Sequence, residues 1–412
     1  MPALCHARRS PVQQATAGDE KHRPRMRTLF VTVDPSFPPV SGADLRNWQN
    51  AEAALCCGPT MLASLLPARA QQPANGLIVT DLDAPGNRHD VWTRDAMIRI
   101  PDGTDRRLVD LATSFRADTL VLEATALARL ARAARHAVRH VVVDMHNIDS
   151  HLVAQEAPGS IWRRPGAAWD VHRRARKLRG LERAVAAIAD RIWVCSEQER
   201  QRLLSVAPRA RRVDVVPNGI PRPELVPDDV SIRSVSASAG PRLLFVGHLA
   251  YRPNIEAAGR LVDIASMLRR TRPNTTLVLA GRNPAAEILA LSRPGFIDIR
   301  SNPDDVGALL RDADLTVVPL QSGGGTRIKV LEAMAWGLPV VATARAVDGL
   351  GLAAGEHYER AETLEEFVAA IDRLLSQPQR FASQSSAARR FALTAYGPHA
   401  IGRAVAAALA PA

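Results

Sequence analysis

The stretch Leu315-Thr316-Val317-Val318-Pro319-Leu320-Gln321-Ser322-Gly323-Gly324-Gly325-Thr326-Arg327-Ile328-Lys329 decides the reading of this chain. Its first part, Leu315–Leu320, is a short apolar run rich in β-branched residues and reads as a strand. The chain then turns through Ser322 and three glycines into a helical pattern over Ile328–Trp336, stopped by Gly337 before another strand at Pro339–Thr343. A glycine-rich turn entering a helix leaves backbone N–H groups and the positive end of the helix dipole facing outward, which suits a phosphate. Arg327 and Lys329 add a fork and a point charge within the same turn. Glu332, one helical turn on, offers a carboxylate to ribose hydroxyls. A tight connection carrying a solvated basic turn is the structural alternative. Composition weighs against it: Lys329 is one of only three lysines, with Lys21 and Lys177, among 53 basic residues.

Outward from this stretch, short apolar runs alternate with longer helical segments, the pattern of parallel sheets wrapped by helices. Strands are expected at Thr28–Asp34, Gly76–Leu82, Thr119–Ala124, His140–His146, Arg191–Ser196 and Val213–Val216, with helices such as Thr125–Ala137 between them. Pro221, Pro223, Pro227 and the serine-rich 231–238 break the alternation and read as a linker. It resumes with Leu243–Gly247, Thr276–Gly281, Phe296–Arg300, Leu315–Leu320 and Pro339–Thr343, then helical Leu364–Leu375 and Ala387–Ala410. At 412 residues, two domains are the default. The expected division is an arm over 1–25 (disordered, or upstream of a true start at Met26), a domain over 26–220, a linker over 221–240, a second domain over 241–395, and a terminal helix over 396–412. The fold class is α/β, with two Rossmann-like domains facing each other across a cleft. Ligands then belong beyond the carboxyl ends of the strands.

The net charge of +11 opens three classes of partner: nucleic acid, an anionic membrane surface and anionic ligands. Nucleic acid is set aside, because 4% aromatic residues leave few stacking platforms and no basic–aromatic interleaving occurs. Arg173, Arg174, Arg176, Lys177, Arg179 and Arg183 surround an apolar stripe of Val171, Ala175, Leu178, Leu181 and Val185 at helical spacing. This reads as a helix packing its stripe on the first sheet, with a charged face left for an anionic membrane surface. No apolar run reaches the ~20 residues of a spanning helix. The basic arm lacks the apolar core of a secretory signal, and Cys5, Cys56, Cys57 and Cys195 show neither metal-ligand nor disulfide spacing. A cytoplasmic location, peripheral on the inner membrane face, is expected.

The run Gly323-Gly324-Gly325-Thr326-Arg327-Ile328-Lys329-Val330-Leu331-Glu332-Ala333-Met334-Ala335-Trp336-Gly337-Leu338-Pro339-Val340-Val341 resembles the donor-binding signature of glycosyltransferase family four. Phe245-Val246-Gly247 and Leu279-Ala280-Gly281 are similar to that family's first two strands of the second domain, and Asp348-Gly349-Leu350 to one of its closing loops. Pro38-Pro39-Val40-Ser41-Gly42 with Arg46 resembles its acceptor-side loop, and Val194-Cys195-Ser196 and Val216-Pro217-Asn218-Gly219 its landmarks near the cleft.

The resemblance implies a GT-B fold, retention of anomeric configuration, and a nucleotide-diphosphate sugar as co-substrate rather than any cofactor. It implies transfer to a saccharide or lipid-linked acceptor in cell-surface polysaccharide or glycan biosynthesis. Donor contacts fall on Gly247, Gly281, Gly323, Gly324, Gly325, Thr326 and Glu332; Gly42 and Arg46 fall on the acceptor side. His146, closing Val141-Val142-Val143-Asp144-Met145-His146, takes the place of the histidine that touches the transferred sugar, and with Arg327 and Lys329 completes the catalytic set. Two departures stand out. Eight positions before Glu332, where many relatives carry a glutamate, this chain has Gly324, and the loop Gly247–Asn254 lacks the usual arginine and lysine. Arg327 and Lys329 are expected to carry the diphosphate charge instead. Asp81-Leu82-Asp83 and Asp312-Ala313-Asp314 are read as chance triplets, so no metal is expected. The alternative is a catalytically degenerate nucleotide-sugar-binding or scaffolding relative.

Overall fold

The computed structural model describes residues 26–34, 41–66, 75–82, 100–155, 165–228, 240–324 and 327–411, with the side chains of 165–168 set aside. The arm over 1–25, Pro38-Pro39-Val40, Asp83, Gly325, Thr326 and the serine-rich segment lie outside the described residues.

The first sheet is built from β1 (Thr28–Thr32), β2 (Thr60–Ser64), β3 (Ile78–Asp81), β4 (Thr119–Leu122), β5 (His140–Met145), β6 (Arg191–Val194) and β7 (Val213–Val215), ordered β3-β2-β1-β4-β5-β6-β7. The second is built from β8 (Arg242–Val246), β9 (Thr276–Gly281), β10 (Ile297–Ser301), β11 (Leu315–Val318), β12 (Val340–Ala342) and β13 (Glu359–Arg360), ordered β10-β9-β8-β11-β12-β13. Every pairing among these strands is parallel. Helices cover both faces, so β1, β2 and β4 are buried along their whole length rather than alternating. The winding direction reverses between β1 and β4 and again between β8 and β11. Those two reversals open a crevice at the carboxyl edge of each sheet.

Helices α1 (Gly42–Ala54), α2 (Thr104–Phe115), α3 (Leu130–Ala134), α4 (Asp149–Gln155), α5 (Pro165–Ile188) and α6 (Glu197–Val206) pack around the first sheet. Around the second lie α7 (Arg252–Leu268), α8 (Ala286–Leu289), α9 (Val306–Asp312), α10 (Ile328–Ala335), α11 (Leu364–Ser376) and α12 (Pro378–Tyr396), followed by α13 (Pro398–Leu409).

Several details differ from expectation. β2 and β13 were not expected: β2, Thr60-Met61-Leu62-Ala63-Ser64, has no β-branched residue after Thr60, and β13 is two residues long. The helix expected at Thr125–Ala137 is a 3₁₀ turn, Thr125–Leu127, followed by the short α3. The helix expected at Ala387–Ala410 is broken at Gly397-Pro398, where proline ends one helix and starts the next. α13 returns to the first sheet: Ile401, Val405, Ala408 and Leu409 share a core with Phe30, Trp48, Val121 and Trp193. Ile401, Val405 and Leu409 each contribute about 1.5–3 kcal/mol on burial, enough to hold a helix that would be marginal alone.

The stripe of α5 divides its packing. Ala175 and Leu178 meet Val153 of α4, whereas Val185 joins the main core beside the sheet. Arg173, Arg176, Lys177 and Arg183 stay exposed on the other face. Among the described residues no helix is long and apolar enough to cross a membrane.

Candidate active site

The turn between β11 and α10 lies at the reversal of the second sheet. Gly323 has φ of +97°, and a Cβ there would stand 3.1 Å from the Tyr251 hydroxyl and 3.2 Å from Pro253, so glycine is needed for both conformation and space. Arg327 precedes the first turn of α10 and is buried; its Nη1 donates to the Gly324 carbonyl, and its Nε has no partner among the described residues. A buried donor left open in this way costs about 1–3 kcal/mol until something accepts from it.

Lys329 turns from α10 toward the end of β8. Its Nζ donates to Asn254 Oδ1 at 2.8 Å and lies 4.1 Å above the centroid of the Phe245 ring. A Cβ on Gly247 would come within 2.8 Å of that ammonium. Gly247 is therefore the gap through which α10 delivers its charge to the β8 loop. Residual accessibility remains along the side chain, but enclosure of the ammonium, with Arg327 nearby, pushes its pKa down to about 7. Gly281, at φ +152°, presses on the same loop: a Cβ there would stand 1.6 Å from the Gly247 carbonyl oxygen. One turn along α10, Glu332 is buried with no hydrogen-bond partner for its carboxylate among the described residues. Burial lifts its pKa to about 7 against the pull of Arg222.

Across the cleft, His146 follows β5. Its Nε2 is 3.5 Å from Glu123 Oε2 and 4.0 Å from Asp144 Oδ2, and its carbonyl accepts from Cys195 Sγ at 3.4 Å. Burial pushes its pKa down to about 4, more than Asp144 restores, so the imidazole is neutral at physiological pH. Gly42 opens α1 behind the Ser41–Asp44 capping box; a Cβ on it would sit 3.1 Å from Ile328 Cδ1, so it faces α10 across the cleft.

Arg46, expected on the acceptor side, is 1% exposed and its guanidinium makes four hydrogen bonds within the first domain. It grips both oxygens of Asp144 at 2.7 Å and donates to the Val216 carbonyl at 2.6 Å and Asn218 Oδ1 at 2.7 Å. Such a buried, bidentate pair ties α1 and β5 to the segment after β7.

Between the two sheets, Arg202 of α6 and Arg345 join Arg327 around Gly323 and Gly324. Arg202 bonds Asp348 at 2.7 Å, and Arg345 donates to the Gly323 carbonyl at 2.9 Å and to Gln155 of α4. Gly324 carries Leu152 directly above it: a Cβ there would be 2.0 Å from Leu152 Cδ2. Any side chain at this position would have to displace the tip of Leu152. Asn254, Glu123, Leu152, Arg202 and Arg345 had no assigned role in the sequence, since each acquires one only through a partner distant along the chain.

Glu123, Asp144 and His146 each offer a ligand atom within 4.8 Å of the others. Both Asp144 oxygens, however, are already held by Arg46, with Asn50 adding a third bond at 3.0 Å. A cation there would face a buried guanidinium, so the cluster fits a hydrogen-bond relay better than a metal.

Two parallel Rossmann-like sheets with a basic, glycine-lined turn at their shared cleft define a GT-B transferase. Residues 43–219 match the family described as glycosyl transferase 4-like domain, and residues 240–377 that of glycosyl transferases group 1. The chain belongs to the group 1 glycosyltransferases. Among solved structures it is similar to sucrose-phosphate synthase from Thermosynechococcus elongatus, at 17% identity and a TM-score of 0.67, covering 93% of this chain and 98% of that one. Anabaena HepE in complex with UDP and glucose matches at 15% identity and a TM-score of 0.66, over 93% and 99% of the two chains. WaaG, a glycosyltransferase involved in lipopolysaccharide biosynthesis, matches at 15% and 0.63, over 93% and 100%. At such identities the likeness establishes the fold. No curated protein sequence matches the chain.

Proposed function

We propose that the protein is a retaining, metal-independent glycosyltransferase moving a sugar from a nucleotide-diphosphate donor to a saccharide or lipid-linked acceptor in cell-surface glycan biosynthesis. The observation that carries this reading is the meeting of Lys329, Asn254 and Gly247 beside Arg327, whose Nε has no partner among the described residues. Negative charge growing on the leaving diphosphate is taken up by these two cations, which are enclosed enough to act strongly on it. Glu332 accepts from ribose hydroxyls. Neutral His146, opposite them, has a ring nitrogen that no described residue engages, to accept from a hydroxyl of the donor sugar. The acceptor enters beside Gly42. HepE bound to UDP and glucose, and TarM bound to UDP, are similar folds holding ligands of this class.

Metal independence rests on the aspartates. Asp314 accepts from the Arg242 backbone N–H at 2.7 Å and Asp312 lies 3.8 Å from the Arg242 guanidinium, at the amino edge of the second sheet and away from the cleft. An anionic, inner-face membrane surface suits α5, whose exposed Arg173, Arg176 and Lys177 stand beside Trp169, itself 67% exposed. Co-sedimentation with phosphatidylglycerol vesicles, lost on charge reversal of those three, tests that surface. The function itself is tested by hydrolysis and binding across a panel of nucleotide sugars. Turnover of one donor is expected; failure to hydrolyse or bind any of them overturns the reading, and binding without hydrolysis marks a degenerate relative.

A further inference from the structure

Behind His146 stands a polar relay that the transfer chemistry does not itself require. Glu123 follows β4 and is 2% exposed. Its Oε2 is the nearest group to His146 Nε2, at 3.5 Å, while its Oε1 meets no hydrogen-bond partner among the described residues. Asn47 of α1, with its Oδ1 accepting from Thr32 at 2.6 Å, brings its amide nitrogen to 3.0 Å from the same Oε2. Glu123 also neighbours Asp144, whose two oxygens Arg46 holds. Burial and the Asp144 charge drive the Glu123 carboxyl well above the usual carboxylate range.

The ring nitrogens of a neutral histidine divide into one donor and one acceptor, and the partner of one nitrogen decides which. We propose that Glu123 is a positioning residue for His146: its Oε2 accepts the Nε2–H, fixing that tautomer and leaving Nδ1, which no described residue engages, as the acceptor for a donor-sugar hydroxyl. The second half rests on the reading of His146 as the sugar-contacting group; the first half does not. Without Glu123 the imidazole samples both tautomers, and the Nδ1–H form has no lone pair to offer at the cleft.

The two halves are tested separately on the full chain. Long-range ¹H–¹⁵N spectra of ¹⁵N-histidine protein, with His146 assigned by difference against His146→Asn, report the tautomer directly. The expected result is an Nε2-protonated neutral ring in the unsubstituted protein and a mixture of tautomers in Glu123→Leu. An Nδ1-protonated ring, or the same tautomer in Glu123→Leu, overturns the proposal whatever the enzyme does. In the donor-hydrolysis assay, Glu123→Leu is expected to lower kcat on the order of tenfold, the worth of one hydrogen bond, with UDP or GDP affinity unchanged. Glu123→Gln, whose oxygen can still accept from Nε2–H, restores turnover relative to Leu. Failure of Gln to restore it, with the tautomer retained, means the ionised carboxylate acts instead and overturns the positioning role. If Leu fails to fold, the spectrum and kcat of Glu123→Gln carry the test alone.

Discussion

The sharpest consequence concerns the charge of Lys329. Its ammonium is enclosed by Asn254, Phe245 and Gly247 and titrates near pH 7 in the free protein. A bound diphosphate, being an opposite charge within a few ångströms, raises that pKa beyond the assay range. Binding near neutrality therefore takes up about half a proton, and affinity falls as pH rises, because only the protonated fraction is ready to bind. With the free-state value near 7, that fraction drops about 25-fold between pH 6.5 and 8.5, and the nucleoside diphosphate Kd should rise correspondingly. Lys329→Met removes a charge-assisted hydrogen bond worth about 1.5–3 kcal/mol. At pH 6.5 this weakens binding roughly 10- to 150-fold and flattens the pH dependence above neutrality. Calorimetric titration of UDP or GDP in two buffers of different ionisation enthalpy measures both affinity and proton uptake. A wild-type Kd that is flat between pH 7 and 8.5, or a Met variant with the wild-type slope, would refute the placement of the diphosphate on this lysine. Linkage also predicts the sign for folding. The unfolded chain keeps the lysine proton to about pH 10 whereas the folded chain releases it near 7, so this group adds stability as pH rises through that window.

Three further outcomes follow from the same geometry. His146→Ala should cut turnover while leaving nucleotide affinity within about twofold, read by kcat against calorimetric Kd; equal loss in both would mark a purely structural histidine. Arg46→Met leaves Asp144 buried without its counter-charge and should cost about 3–5 kcal/mol in urea unfolding; a loss under about 1 kcal/mol would show that the guanidinium is dispensable. Gly324→Ala should weaken UDP or GDP binding and lower donor hydrolysis by forcing Leu152 off the turn, and Leu152→Ala in the same chain should relieve it; independent, additive effects would mean the two do not meet in solution.

Much of this molecule was legible in its residues because parallel α/β folds write themselves locally. Runs such as Val141–Val143 and Leu277–Ala280 are buried on both faces, and a strand that must be buried on both faces has to be continuously apolar. The glycine turn was legible too, since positive φ and close backbone approach leave glycine as the ready solution at Gly323 and Gly281. The break at Gly397-Pro398 is local, set by the proline, whereas the return of α13 to the first sheet is not, since the apolar spacing on either side of the break does not say which core it joins.

By itself, then, the sequence determined the two Rossmann-like units, the cation-bearing turn, and the strand ends at which chemistry belongs. Tertiary structure decided which charges are free to use. Arg46 and Asp144 lie 98 residues apart, and Lys329 and Asn254 lie 75 apart. Periodicity encodes which face of an element is buried; it carries no record of which polar groups are buried together. That pairing depends on strand register and helix docking, and it is what makes Arg46 a brace within the first domain, Lys329 a lysine titrating near neutrality, and Glu123 the group facing His146.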